Sequence, residues 1–151
     1  MHAAGAYFVP TMTTYELISA HGAAQGIPAR MIEKINRAKA GAGESLRVAQ
    51  AAGLPICSGS DVLGAMQPFK AMELQLKAAV LGAHAAILSA TRTNARLFGL
   101  ADEIGGVEEG KRADLIVVDG QPLDDIGVLL DARNVRLVMR DGQIVKRADP
   151  A

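Results

Sequence analysis

Cysteine is nearly absent from this sequence: Cys57 is the only one in 151 residues. An internal disulfide and a cysteine-pair zinc knuckle are thereby excluded. Cys57 lies inside an apolar run, which reads as a small buried thiol; a catalytic thiol would need a nearby base and some exposure. Aromatic residues are also scarce, at 3%, so no aromatic recognition surface is expected. Abundant alanine and glycine instead suit closely packed helices and strands. Charge of one sign is lacking, because 16 Lys+Arg balance 16 Asp+Glu. With no basic cluster either, nothing points to nucleic acid or another polyanion as partner. The same neutrality gives little protection from self-association. No run approaches the ~18 apolar residues of a membrane span. Met1-His2-Ala3-Ala4-Gly5 lacks the basic and apolar regions of a secretory signal. A cytoplasmic chain with no membrane partner is the expectation. Its length is about one domain, and with half its residues hydrophobic it can bury a core.

What is present is an alternation of strands and helices. Ala6 to Val9 reads as a short strand closed by Pro10. A polar loop, Thr11 to Tyr15, follows, with Thr13 or Thr14 placed to cap a helix running from Tyr15 to about Ala24. Gly26-Ile27-Pro28 breaks that helix. A longer one is expected from about Ala29 to Ala52, with Met31, Ile32, Ile35, Ala38, Ala42, Leu46 and Ala49 at helical spacing and Gly41 and Gly43 weakening its middle. Gly53 ends it, and the run Leu54 to Ser58 forms a second strand. Strand, helical crossover and strand make a right-handed unit with a parallel pair. After a loop from Val62 to Pro68, helices are expected over Phe69 to Leu81 and over His84 to Phe98. From about Leu100 the pattern turns to β: strands at Leu115 to Val118, Val135 to Arg140 and Gln143 to Lys146, the last two joined by Asp141-Gly142, a strong hairpin signal.

The residue with chemical promise is Asp61, the end of Ser58-Gly59-Ser60-Asp61 after a buried strand. In barrel-type α/β enzymes the C-terminal tips of parallel strands carry the reacting groups. An aspartate there can hold a divalent metal or accept and pass on a proton. Its residues alone equally allow a turn or helix cap. Tyr15 follows the other strand tip; its hydroxyl can donate to a developing oxyanion or simply pack on a neighbour. His2, His21 and His84 form no metal-binding pair by spacing and read as surface or partly packed residues. Lys111, Arg112 and Asp114 read as ordinary turn charges.

Five blocks in order carry a resemblance to a known family. They are Val9-Pro10-Thr11; Gly59-Ser60-Asp61; Ser89-Ala90-Thr91-Arg92-Thr93-Asn94-Ala95-Arg96-Leu97-Phe98-Gly99-Leu100; Ile104-Gly105-Gly106-Val107-Glu108-Glu109-Gly110-Lys111-Arg112-Ala113-Asp114-Leu115; and Val118-Asp119-Gly120-Gln121-Pro122-Leu123 with Val138-Met139-Arg140-Asp141-Gly142. Together they resemble the C-terminal portion of metal-dependent amidohydrolases. Pro10-Thr11-Met12-Thr13-Thr14-Tyr15 and Asp61-Val62-Leu63-Gly64 are similar to the prolidase-like branch, the Xaa-Pro dipeptidases and carboxypeptidases.

The resemblance implies an α/β fold: the C-terminal part of a (β/α)8 TIM-type barrel, strands seven and eight with their helices, over residues 1–100. A β-rich segment of a small composite β-sandwich domain would occupy residues 101–151. It implies hydrolysis of amide bonds, Xaa-Pro or C-terminal peptide bonds, by water activated at one or two zinc or other divalent ions. A cyclic-amide hydrolase of the imidazolonepropionase or dihydroorotase type is the alternative, as is a non-catalytic truncated fragment acting only as a packing partner. Asp61 matches the strand-eight aspartate, a metal ligand and catalytic proton shuttle, and Tyr15 matches a substrate-binding tyrosine. The family's His-x-His, bridging lysine and further metal histidines are not in this sequence. The expectations are therefore that the chain alone binds no catalytic metal, is inactive, needs the N-terminal part of the barrel, and self-associates.

Overall fold

The computed structural model describes residues 2–148; residues 1 and 149–151 and the side chain of His2 lie outside it. The reading of His2 as a surface histidine therefore falls outside the described residues. The two expected strands are reduced to a single parallel bridge between Phe8 and Ile56. Two hydrogen bonds make it: Phe8 N–H donates to the Pro55 carbonyl at 3.0 Å and Cys57 N–H to the Phe8 carbonyl at 2.8 Å. Pro10 and Pro55 flank this pair and have no N–H to extend the ladder. The parallel pairing is as expected, but its length is not.

Helix α1 spans Met12–His21, so the segment read as a polar loop is already helical. Thr11 occupies its N-cap position without a side-chain cap bond, and neither Thr13 nor Thr14 acts as the cap. The orphan N–H of Thr13 is satisfied by the Glu73 carboxylate at 2.8 Å, which lets the helix start early. Helix α2 (Ala29–Ala51) runs through Gly41 and Gly43 without interruption. It packs on α1 and, further along, on helix α3 (Met72–Leu81). Gly43 lies where a Cβ would meet Val80 at 3.7 Å, an ordinary contact, so close helix approach does not require it.

The Val62–Pro68 loop is in part a 3-10 helix, Gly64–Phe69, with Pro68 inside it. The single helix expected from His84 to Phe98 is two: α4 (Ala83–Ala90) and α5 (Arg92–Leu97). Thr91, at φ −116° and ψ −93°, makes the break. Its hydroxyl donates back to the Ile87 carbonyl at 2.9 Å, the local bond by which threonine competes with a helix ladder. Gly105 packs into the bend: a Cβ there would lie 2.6 Å from the Ala95 Cβ. Its φ of +89° also favours glycine.

The C-terminal part is an antiparallel sheet of strands β1 (Leu115–Val118), β2 (Val135–Arg140) and β3 (Gln143–Arg147), in that order. The hairpin falls where expected, with Arg140 opposite Gln143. Asp141 and Gly142 both have positive φ, 50° and 76°, as a twist-matched two-residue turn requires. Asp141 N–H also donates to the Asp114 carboxylate at 2.7 Å, tying the turn to the start of β1.

Among the described residues, the buried apolar ones are few and, apart from Leu46, Leu17 and Met12, small: Ala49, Cys57, Val62, Ala86 and Ala95 complete the set. Ile116, Val117, Ile144 and Val145 of the sheet are exposed, as are Val9 and Leu63 near the strand tips. Apolar surface is thus uncovered both on the antiparallel sheet and beside the Phe8–Ile56 bridge. Among the described residues no helix is long and apolar enough to cross a membrane. Leu46 is fully buried on α2 where it meets the other helices. Leu46→Ala is expected to lower unfolding free energy by about 2–5 kcal/mol, the cost of an unfilled core cavity. Urea denaturation followed by circular dichroism measures it, and an unchanged midpoint would show that Leu46 is no core residue.

Candidate active site

The two segments that leave the bridge run side by side, and three contacts hold them. The Thr14 hydroxyl lies 3.0 Å from the Ser60 carbonyl and 2.6 Å from the Asp61 carbonyl, so one proton serves both acceptors. Gly59 lets the segments approach: a Cβ on it would lie 2.9 Å from Val9 Cγ1. Asn94 of α5 reads the backbone of Ser58 with both ends of its amide, accepting from Ser58 N–H at 3.0 Å and donating to its carbonyl at 2.9 Å. Asp61 itself is exposed and sits in the left-handed region at φ 51°. That conformation is uncommon for a residue other than glycine and is tolerated best by Asn and Asp.

Tyr15 lies in the first turn of α1, half-buried, one residue beyond the Thr14 contact to Asp61. It lines a cavity of about 400 Å³ with Phe8, Thr11, Arg37 and Ser45, and Asp61 is not among that cavity's lining residues. The structure therefore brings the two segments together through Thr14, while Tyr15 borders space toward α2. His21 and His84 are exposed on separate helices, in keeping with the surface reading. Lys111 and Arg112 are not free turn charges. Lys111 and Arg92 both pair with Glu108, at 3.2 and 2.8 Å, and Arg112 pairs with Glu103. Arg92, and after it Lys111, hold the Glu108 carboxyl below its ordinary range. Because Glu108 is solvent-facing, these pairs mark the path of the chain more than they stabilise it.

Beneath the segments lies a polar cluster that reading along the sequence missed. Glu73 and Lys77, on one face of α3, are 1% and 0% exposed. Glu73 Oε2 accepts from Thr13 N–H at 2.8 Å and from the Thr13 hydroxyl at 2.9 Å. Glu73 Oε1 is buried and has no hydrogen-bond partner. Lys77 Nζ donates to the Cys57 carbonyl at 3.0 Å and to Ser89 Oγ at 2.9 Å. Ser89 in turn donates to the Ala86 carbonyl at 2.6 Å. The available signal was a Glu and a Lys four residues apart within the Met72–Leu81 helix, whose other residues are apolar except Gln75. On a surface helix the same pair is an ordinary exposed ion pair.

Burial sets the protonation behaviour of this cluster. It pushes the Glu73 carboxyl up, with the Thr13 bonds and the Lys77 charge opposing. It pushes the Lys77 ammonium down to about 8, against the Glu73 and Cys57 charges. It pushes the Cys57 thiol up, with Lys77 opposing, which leaves Cys57 a fully buried, unreactive thiol.

The profile of the amidohydrolase family matches residues 1–145 of this chain. The chain belongs to the amidohydrolase family. It is similar to the crystal structure of a prolidase complexed with N-methylphosphonate-L-proline, with 39% identity and a TM-score of 0.93, over 98% of this chain and 36% of that one. It is also similar to a Xaa-Pro dipeptidase with methionine bound in its active site, with 30% identity and a TM-score of 0.84, over 97% of this chain and 36% of that one. By sequence it is similar to the 5-methylthioadenosine/S-adenosylhomocysteine deaminase of Symbiobacterium thermophilum, 37% identical over 92 residues, or 55% of this chain and 20% of that protein. The chain thus spans about a third of the solved structures and a fifth of this curated relative.

Amidohydrolases generally use divalent metals. Among the described residues, no group of three or more His, Cys, Asp or Glu side chains is placed to hold an ion. Asp61 offers a single exposed carboxylate, and the described residues do not by themselves fit a metal centre.

The protonation pattern makes a prediction. Lys77 holds its proton less tightly folded, at about 8, than the ordinary 10.5. Between those values the unfolded chain binds more protons, so on this group's account stability rises with pH from about 8 to 10.5 and falls back as pH drops through 8. Glu73 has the opposite sign. Its raised carboxyl favours the folded state below its ordinary value of 4.5, and that contribution is lost as pH rises through the folded value. Denaturation midpoints of the wild type and of Lys77→Met across alkaline pH test this; identical slopes would remove Lys77 as their source.

Proposed function

We propose that this chain is the C-terminal portion of a metal-dependent hydrolase that cleaves amide bonds of the Xaa-Pro or C-terminal-residue type. The observation that carries this reading is the breadth of the prolidase likeness. At 39% identity it runs over 98% of the chain, including both segments that bear Tyr15 and Asp61. The deaminase likeness covers 55%. Deamination of a purine-like ring is the second reading, favoured by that stretch; it too is hydrolysis at a carbon–nitrogen bond.

In this proposal residues 1–100 supply strands seven and eight of a barrel with their helices, and residues 101–151 supply part of a small β-sandwich. Asp61, exposed at the tip, gives one carboxylate to a metal centre completed by residues from the rest of the barrel, and accepts a proton during hydrolysis. Tyr15 donates its hydroxyl toward the scissile carbonyl. The substrate is a small peptide or amide, and the remaining barrel strands are the obligatory partner. The apolar residues exposed on the sheet and near the tips support that need, and without cover they favour self-association.

Two measurements test the proposal. Calorimetric titration of the isolated chain with zinc is expected to show no submicromolar site, and amide hydrolysis is expected to be absent; a tight stoichiometric site would overturn the shared-centre reading. Assembled with the segment that supplies the other strands, the protein is expected to hydrolyse Xaa-Pro dipeptides. Asp61→Asn is then expected to lower kcat at least ~100-fold, the usual scale for losing a proton-transfer group. Turnover of 5-methylthioadenosine or of cyclic amides without Xaa-Pro cleavage would replace this reading by one of its alternatives.

A further inference from the structure

Glu73 and Lys77 stand one helical turn apart on α3, and each is spent on a different strand tip. Glu73 takes the Thr13 N–H and hydroxyl, two residues before Tyr15. Lys77 takes the Cys57 carbonyl, four residues before Asp61, and braces itself on Ser89. The direct tie between the tips is the shared Thr14 hydroxyl, because the β-ladder behind them is a single bridge. Two side chains rooted on one rigid turn thus do what a longer ladder would do elsewhere.

We infer that Glu73 and Lys77 are positioning residues whose paired grip on Thr13 and Cys57 sets the separation of Tyr15 from Asp61. An apolar helix face would pack here at lower desolvation cost, since burying charged groups is expensive unless their bonds are well made. Placement of the tips is what the polar pair adds. The assignment rests on the reading of Tyr15 and Asp61 given above, but the grip can be tested apart from activity.

Residue-resolved hydrogen exchange of the chain provides that test. In Lys77→Met, the Cys57 and Ser58 amides are expected to exchange about tenfold faster, the scale of a lost charge-assisted bond, while Thr13 is unchanged. In Glu73→Leu the Thr13 amide is expected to speed up and Cys57 to hold. Glu73→Gln, which keeps an acceptor oxygen, is expected to restore the wild-type pattern. Ser89→Ala removes the brace of Lys77, together with the local Ser89–Ala86 bond within α4, and serves where Lys77→Met fails to fold; a smaller rise at the same two amides is expected. Unchanged exchange at Cys57 and Ser58 in the folded variants, or an equal rise at all amides, overturns the inference. In the assembled hydrolase, loosened tips are expected to lower kcat with little change in KM. Loosened tips with full kcat would leave the grip standing and remove Asp61 and Tyr15 from the chemistry.

Discussion

The structure depends on how two ionisable side chains are satisfied inside a small core. Glu73 and Lys77 are among the largest fully buried side chains in the chain. A buried charge is tolerable when its hydrogen bonds are good, and Lys77 has two at 3.0 and 2.9 Å. Those bonds reach Cys57 and Ser89 of α4, and the Glu73 bonds reach Thr13 at the α1 start. Loss of Glu73 would unpair Thr13 at the start of α1, and loss of Lys77 would unpair the Cys57 carbonyl and its bond to Ser89, whereas loss of a buried alanine would leave only a gap. Among the described residues, Glu73 Oε1 is the one buried side-chain polar atom without a hydrogen-bond partner.

Around this centre the rest of the packing is economical. Small residues at Ala49, Ala86 and Ala95 let backbones approach. Gly59 and Gly105 do the same where a Cβ would strike Val9 or Ala95. Asn94 adds a two-bond clamp on Ser58, so Asp61 projects from a backbone held at Cys57, Ser58, Ser60 and its own carbonyl. Asp61 is thus exposed while the backbone that leads to it is held. What surrounds it from this chain is sparse, and the exposed apolar residues nearby, Val9 and Leu63, are suited to be covered.

Much of the fold was legible in the sequence because local chemistry decides it. Asp141-Gly142 specified a hairpin, and the long α2 followed from its apolar spacing and closing Gly53. The family blocks placed Asp61 and Tyr15 on neighbouring segments, although their roles do not follow from position alone. Other features were not legible because their causes lie far away in the chain. The α1 start moved to Met12 because Glu73, 60 residues later, satisfies Thr13. The helix expected over His84 to Phe98 broke at Thr91, where Gly105 comes to rest.

By itself, then, the sequence determined the family, the order of elements, the turns whose dihedral angles demand Asp and Gly, and the absence of an internal disulfide. Each of these follows from residue type and short-range spacing. Only the tertiary structure decided that Glu73 and Lys77 face inward, that Tyr15 borders a cavity which Asp61 does not line, and that the parallel pair is a single bridge. Helical spacing places a Glu–Lys pair on one face but does not say whether that face meets water or the backbones of two strands. That depends on which elements pack against α3, and nothing within α3 records it.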